Sequence, residues 1–126
     1  MNKLARQWMK DLRDNPPKSI GSLKGYDGGY CCLGVAAKGV LKADEDAIVG
    51  LGGLEYCGYE KLGLFGALGE TLNAEPLRYR GKILRDKENQ KLIRSLSCLN
   101  DEFKFSHAQH AEIIEENQHI LFRKEL

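Results

Sequence analysis

No apolar run in this 126-residue chain reaches the roughly 18 residues that a membrane-spanning helix needs. That absence argues against a transmembrane helix. The opening Met1-Asn2-Lys3-Leu4-Ala5-Arg6-Gln7-Trp8 lacks the apolar stretch of a secretory signal. We therefore expect a cytoplasmic protein whose four cysteines are thiols. Those cysteines, Cys31, Cys32, Cys57 and Cys98, contain no Cys-x-x-Cys pair. Adjacent cysteines are poor joint ligands for tetrahedral zinc, so neither a structural metal nor another cofactor is expected. An excess of one charge sign is missing as well. With 19 basic and 18 acidic residues the net charge is +1. General nucleic-acid binders draw most of their affinity from neutralising phosphates, so that class is not expected. Gly50-Leu51-Gly52-Gly53 lacks the Lys-Ser/Thr of a phosphate loop and reads as turns. Tryptophan occurs once, at Trp8, which reads as a core anchor. Repeats, low-complexity tracts and linkers are absent, so residues 1–126 read as a single domain.

What is present is glycine and helical periodicity. Thirteen of the fourteen glycines lie from Gly21 to Gly69, which makes the middle of the chain turn-rich. Residues 2–14 read as an amphipathic helix with Leu4, Trp8 and Leu12 at i, i+4, i+8 and Ala5 and Met9 alongside. Asn15-Pro16-Pro17 stops it. Two short strands flank the Asp27-Gly28 turn signal and form a hairpin within residues 19–30. A helix follows from Cys31 or Cys32 to about Leu41, burying Leu33, Val35, Ala36, Val40 and Leu41, with Ala37 and Lys38 nearer its edge. Residues 42–46 form a polar exit and 47–58 a glycine-rich loop. Residues 59–68 carry Leu62, Phe65 and Leu68 at helical spacing, weakened by Gly63, Gly66 and the following Gly69. Residues 73–76 read as a turn, and residues 77–84 alternate at first between apolar and basic, as a short strand does. Residues 86–99 read as a helix with a Leu92, Ile93, Leu96, Leu99 stripe, ended by Asn100-Asp101. A last helix opens at Ser106, with Gln109 at capping-box spacing and Ala111, Ile114 and Leu121 on one face. The expected class is α+β: four to five helices with a small antiparallel hairpin or sheet.

Candidate chemistry falls into three groups. Cys31 at a helix start would have a lowered pKa, and His110 is a conceivable base for it, which makes a small Cys/His-dependent hydrolase one alternative. Buried cysteines more often act as small apolar residues. His107 and His110, at i and i+3, can hold a metal by spacing but lack a third ligand and read as ordinary polar or half-buried residues. The third group is basic and aromatic. Lys18, Lys24, Arg78, Arg80, Lys82 and Arg85 lie on the extended segments close to Tyr26, Tyr30 and Tyr79, either as a solvated face or as a composition that stacks bases and binds phosphate. Asn100 and Asp101 place an amide and a carboxylate on the rim of such a pocket, or serve as a cap.

One stretch is diagnostic. Tyr30-Cys31-Cys32-Leu33-Gly34-Val35, preceded by Trp8, Leu12 and Leu23 and followed by Leu62-Gly63-Leu64, Leu99-Asn100-Asp101 and Ala111 through Ile114-Glu115, resembles a family of small tailed-bacteriophage proteins. Members share Tyr/Phe-Cys-Cys-Leu-Gly-Val and close with Leu-Asn-Asp, a Phe and a helix. Here the last helix has His107 and His110 where that family carries aromatic and aliphatic residues, and residues 77–85 are unusually basic. The resemblance implies a phage accessory protein in the cytoplasm of an infected bacterium. Proteins of that class often block host defences. The expected activity is capture of a small nucleotide signal without chemistry, by a homo-oligomer with pockets between subunits. An inhibitor that binds a host defence protein directly is the other alternative.

Overall fold

The computed structural model describes residues 1–14, 16, 31–42, 61–66 and 69–123. The expected 19–30 hairpin, most of the 42–46 polar exit, the 47–58 loop and the two ends of the 59–68 segment lie outside them.

Helix α1 spans Lys3–Arg13. Its N-cap is Asn2, whose side-chain oxygen accepts from the Ala5 N–H at 2.8 Å. Lys10 and Arg13 sit in the last turn, where cations complement the helix dipole. Ala5, Trp8, Met9 and Leu12 are buried, but Leu4 is 38% exposed. The expected stripe was thus one residue off. Every fourth helical residue advances by about 40°, so a face centred between Trp8 and Ala5 leaves Leu4 at its border.

Helix α2 spans Cys32–Val35 and runs on as a π-helical turn, Ala36–Val40. Cys31 is its N-cap, and the Cys31 sulfur accepts from the Gly34 N–H at 3.4 Å. The π turn takes in an extra residue and shifts the buried face. Ala37 is therefore fully buried instead of lying at the edge, while Val40 and Leu41 are only half-buried. Within 61–66 the chain makes a single turn at Lys61-Leu62 and no longer helix. Gly63 enters the left-handed region (φ +83°), and Leu64 pairs with Phe122 as an isolated bridge.

The largest departure is at residues 86–95. The sequence stripe reads as helix; the chain is a turn and an extended arm. The Asp86 carboxylate accepts from the Asn89 N–H at 2.6 Å, an Asx-type turn, and Gln90 takes a positive φ of 57°. The arm returns antiparallel through the Arg85–Leu92 bridge. Leu77, Leu84 and Ile93 are joined in a ring: Leu77 N–H to Ile93 carbonyl, Ile93 N–H to Leu84 carbonyl, Leu84 N–H to Leu77 carbonyl. All three side chains are buried. Strand β1, Arg78–Tyr79, pairs antiparallel with β2, Lys82–Ile83, with Arg78 opposite Ile83 and Tyr79 opposite Lys82.

Helix α3 spans Leu96–Glu102, capped by the Ser95 hydroxyl on the Cys98 N–H, so Asn100 and Asp101 are inside the helix and not after it. Helix α4, His107–Glu116, opens with the expected capping box: the Ser106 hydroxyl accepts from Gln109 N–H at 3.1 Å, and the Gln109 side chain accepts from Ser106 N–H at 2.9 Å. Asn117 interrupts it, and α5 follows at Gln118–Leu121. Among the described residues the chain is thus α+β, with five α-helices and one two-stranded antiparallel sheet.

Helix α1 lies across α4 and against the π turn, α2 lies on α3, and α4 carries β1 on its flank. Trp8, Leu33, Leu62, Leu99 and Ile113 sit fully buried between them. Gly69 shows how close the approach is. Its φ is +74°, and a Cβ there would stand 2.7 Å from both Cβ and Cγ of Leu96. Gly69→Ala is expected to lower stability by about 2–4 kcal/mol, combining left-handed strain with overpacking. Urea unfolding followed by circular dichroism measures it.

Candidate ligand site on the β1–β2 hairpin

The sequence of residues 77–84 builds a hairpin because Arg80-Gly81 supplies two residues with positive φ, 52° and 82°, as a tight two-residue turn requires. Helix α4 holds it. The Asn117 amide bonds both backbone groups of Arg78: its oxygen accepts from the N–H at 2.9 Å and its nitrogen donates to the carbonyl at 2.7 Å. That amide nitrogen also donates to the Ile113 carbonyl at 2.7 Å. At the residue before Asn117, the two carboxylate oxygens of Glu116 accept from Arg80 N–H at 2.6 Å and Gly81 N–H at 3.0 Å. Glu112 accepts from the Tyr79 hydroxyl at 3.1 Å and from Arg80 Nε at 3.3 Å.

Above this base lies an aromatic row. The Arg80 guanidinium stands 4.9 Å from the Tyr79 ring centroid. Tyr79 meets Phe105 edge-on, with centroids 5.4 Å apart at 68°, and Phe105 stacks on Phe103 at 5.0 Å and 1°. Tyr79, Phe103 and Phe105 are each half-buried, so ring surface faces outward. Arg80 is the exposed end, its side chain 72% accessible. The Glu112 hydrogen bond, then the Glu112 and Tyr79 charges, push the guanidinium pKa up, so Arg80 is a permanent cation.

The structure brings Arg78, Tyr79 and Arg80 together and places Asn100 and Asp101 elsewhere. Asn100 is buried, 1% exposed, and its side-chain oxygen accepts from the Cys32 N–H at 3.2 Å. It anchors the start of α2 to α3. Asp101 is exposed beside it. Lys18, Lys24, Tyr26 and Tyr30 lie outside the described residues. Phe103, Phe105, Glu112 and Glu116 are absent from the sequence-based site. The Phe-Lys-Phe alternation at 103–105 and the i, i+4 glutamates were signals for them.

Among the described residues, Cys31 and Cys32 are core thiols. Cys31 was expected to have a lowered pKa, but burial pushes it up, assisted by the Asp101 charge and only partly offset by backbone N–H groups led by Gly34. A four-residue helix cannot outweigh burial to 7% exposure. Cys98 is raised as well, first by burial and then by Glu102, Asp101 and Asp86. His107 and His110 are both fully buried. Among the described residues no three His, Cys, Asp or Glu side chains gather as a metal site. No helix among them is long and apolar enough to cross a membrane. A cleft of about 280 Å³ lies between α1 and the π turn, lined by Asp11, Asp14, Pro16, Val35, Lys38 and Gly39. None of Arg78, Tyr79, Arg80, Asn100 and Asp101 lines it. Comparison with known protein families, curated proteins and solved structures gave no match.

Proposed function

We propose that the protein binds a small nucleotide-type ligand without chemistry, through the β1–β2 hairpin and the aromatic row beside it. The observation that carries this reading is the Arg80 guanidinium over Tyr79, continued by Phe105 and Phe103. Planar bases stack on such rings, and arginine adds charge for phosphate. Raised thiol pKa values at Cys31 and Cys98 weigh against a cysteine nucleophile at neutral pH. The row is a single wall, so a homo-oligomer in which a second copy supplies the opposite wall completes the reading. The resemblance carried by residues 30–35 and 99–101 sets the context: a phage protein in the host cytoplasm that removes a nucleotide signal of bacterial immunity.

The test is capture. Incubation with cyclic di- and oligonucleotides and ADP-ribose derivatives is expected to deplete one of them from solution, and heating the protein to return it intact. Arg78→Ala with Arg80→Ala is expected to weaken capture about tenfold or more, since each removes a charge-assisted phosphate donor. Unchanged capture removes the hairpin from the site. Recovery of a cleaved product transfers the case to a Cys/His hydrolase.

A further inference from the structure

The hairpin tip already holds an anion, and it is the protein's own. Consecutive N–H groups at Arg80 and Gly81 converge on the two oxygens of Glu116, at 2.6 and 3.0 Å, while Arg80 Nε meets Glu112 at 3.3 Å. Successive backbone N–H groups in a tight turn form a concavity that suits an oxyanion. The arrangement is exposed, so an external anion reaches it without unfolding anything.

We propose that Glu112 and Glu116 are a built-in competitor for the ligand, occupying the three donors that an incoming phosphate group takes over. This deepens, and rests on, the reading of the hairpin as the anion-binding part of the site. The two glutamates are one helical turn apart on α4, so a single face of that helix presents both carboxylates to the tip. Each is tethered, which gives it a high effective concentration against any free carboxylate. A free monocarboxylate brings the same charge and geometry as Glu116 and gains nothing by exchange. A phosphate monoester or pyrophosphate brings more charge and more acceptor oxygens to the same donors. Displaced glutamate side chains rotate into water, where a surface ion pair loses little. The competitor therefore sets a threshold: dianionic phosphates bind, and monocarboxylates and other weak anions do not. Specificity here comes from an internal rival as much as from the pocket.

The probe is inorganic pyrophosphate, followed at the Arg80 and Gly81 backbone amides by two-dimensional NMR on the full chain. Glu116→Gln removes the charge and leaves an acceptor of similar size. It is expected to tighten pyrophosphate binding at those two amides by about fivefold or more. It is also expected to let acetate shift the same amides, which acetate does not do in the wild type. Glu112→Gln, which leaves the turn clamp in place, is expected to move pyrophosphate affinity in the same direction and guards against a Glu116→Gln variant that folds poorly. Equal or weaker pyrophosphate binding in both variants, with the Arg80 and Gly81 amides still responding, overturns the competitor and leaves the hairpin site standing. No response at those amides in any of the three proteins overturns both the competitor and the placement of the ligand at the hairpin.

Discussion

Trp8→Ala is expected to remove about 3–5 kcal/mol of stability, the usual cost of emptying a buried aromatic site. That is a large share of the roughly 5–15 kcal/mol that holds a domain folded. Trp8 is fully buried, and it does two things at once. Its indole fills the space where α1 meets α2 and α4, with Leu12 and Met9 beside it on the same face. Its Nε1–H donates to the Cys32 carbonyl at 2.8 Å, in the first turn of α2. The second role ties the only tryptophan to the Cys31-Cys32 junction, 24 residues away. With a urea slope of about 2 kcal/mol per molar, the unfolding midpoint should fall by about 2 M. Circular dichroism is the signal to use, because the variant has no tryptophan fluorescence. Trp8→Phe separates the two roles. It keeps most of the ring and loses the donor, and leaving a buried carbonyl with one bond fewer costs about 1–3 kcal/mol. If Trp8→Phe proved as damaging as Trp8→Ala, the hydrogen bond rather than the packing would be the dominant contribution. An unmoved midpoint in Trp8→Ala would show that the residue does not anchor the core.

How far the fold was legible depends on how local its determinants are. The capping box at Ser106 and Gln109 was readable because donor and acceptor are three residues apart and nothing distant can override them. Helix α1 was readable for the same reason, down to one residue of its face. Residues 86–95 were misread because the same signals serve two structures. Asp86 suits a helix start and equally an Asx turn, and adjacent Leu92 and Ile93 fit either period. The left-handed conformation at Gln90, where glycine is usual, gave no warning in the sequence. What decided the outcome is pairing with Leu77 and Leu84, and pairing across a turn is not visible in a helical window. The site divides in the same way. Arg78, Tyr79 and Arg80 were evident from composition and alternation. Their partners Glu112, Glu116 and Asn117 were not, because they come from a helix more than 30 residues later. Cys31 was legible as a helix cap and illegible as an acid, since burial, which sets its pKa, depends on the rest of the chain.

Asn117→Asp is expected to be more damaging than Asn117→Ala at neutral pH, and to recover in acid. Asn117 is 1% exposed, and its side chain uses both amide N–H donors and accepts one hydrogen bond at its oxygen. Alanine leaves two carbonyls and one N–H short of a partner, a loss of about 2–3 kcal/mol after relaxation. Aspartate keeps the bond from Arg78 N–H but turns its second oxygen, charged, toward the carbonyls of Arg78 and Ile113. A buried charge facing two acceptors should cost about 3–5 kcal/mol. The sign of the pH dependence follows. Burial and the two carbonyls raise the folded pKa of the introduced carboxyl above its unfolded value near about 3.9. Its protonated form donates to one of those carbonyls, so the stabilising contribution is complete below the unfolded value and is lost as pH rises through the folded one. Urea midpoints measured relative to the wild type at the same pH should therefore climb as the solution is acidified. A flat profile would mean that the side chain is not held between the two carbonyls. The same variant separates architecture from recognition. Asn117 holds Arg78 in place, so ligand capture should fall and recover in step with stability across pH. Arg78→Ala with Arg80→Ala should instead lose capture with the fold intact. If capture survived in Asn117→Asp at a pH where the hairpin amides exchange freely with solvent, the ligand would have to be held by another part of the molecule.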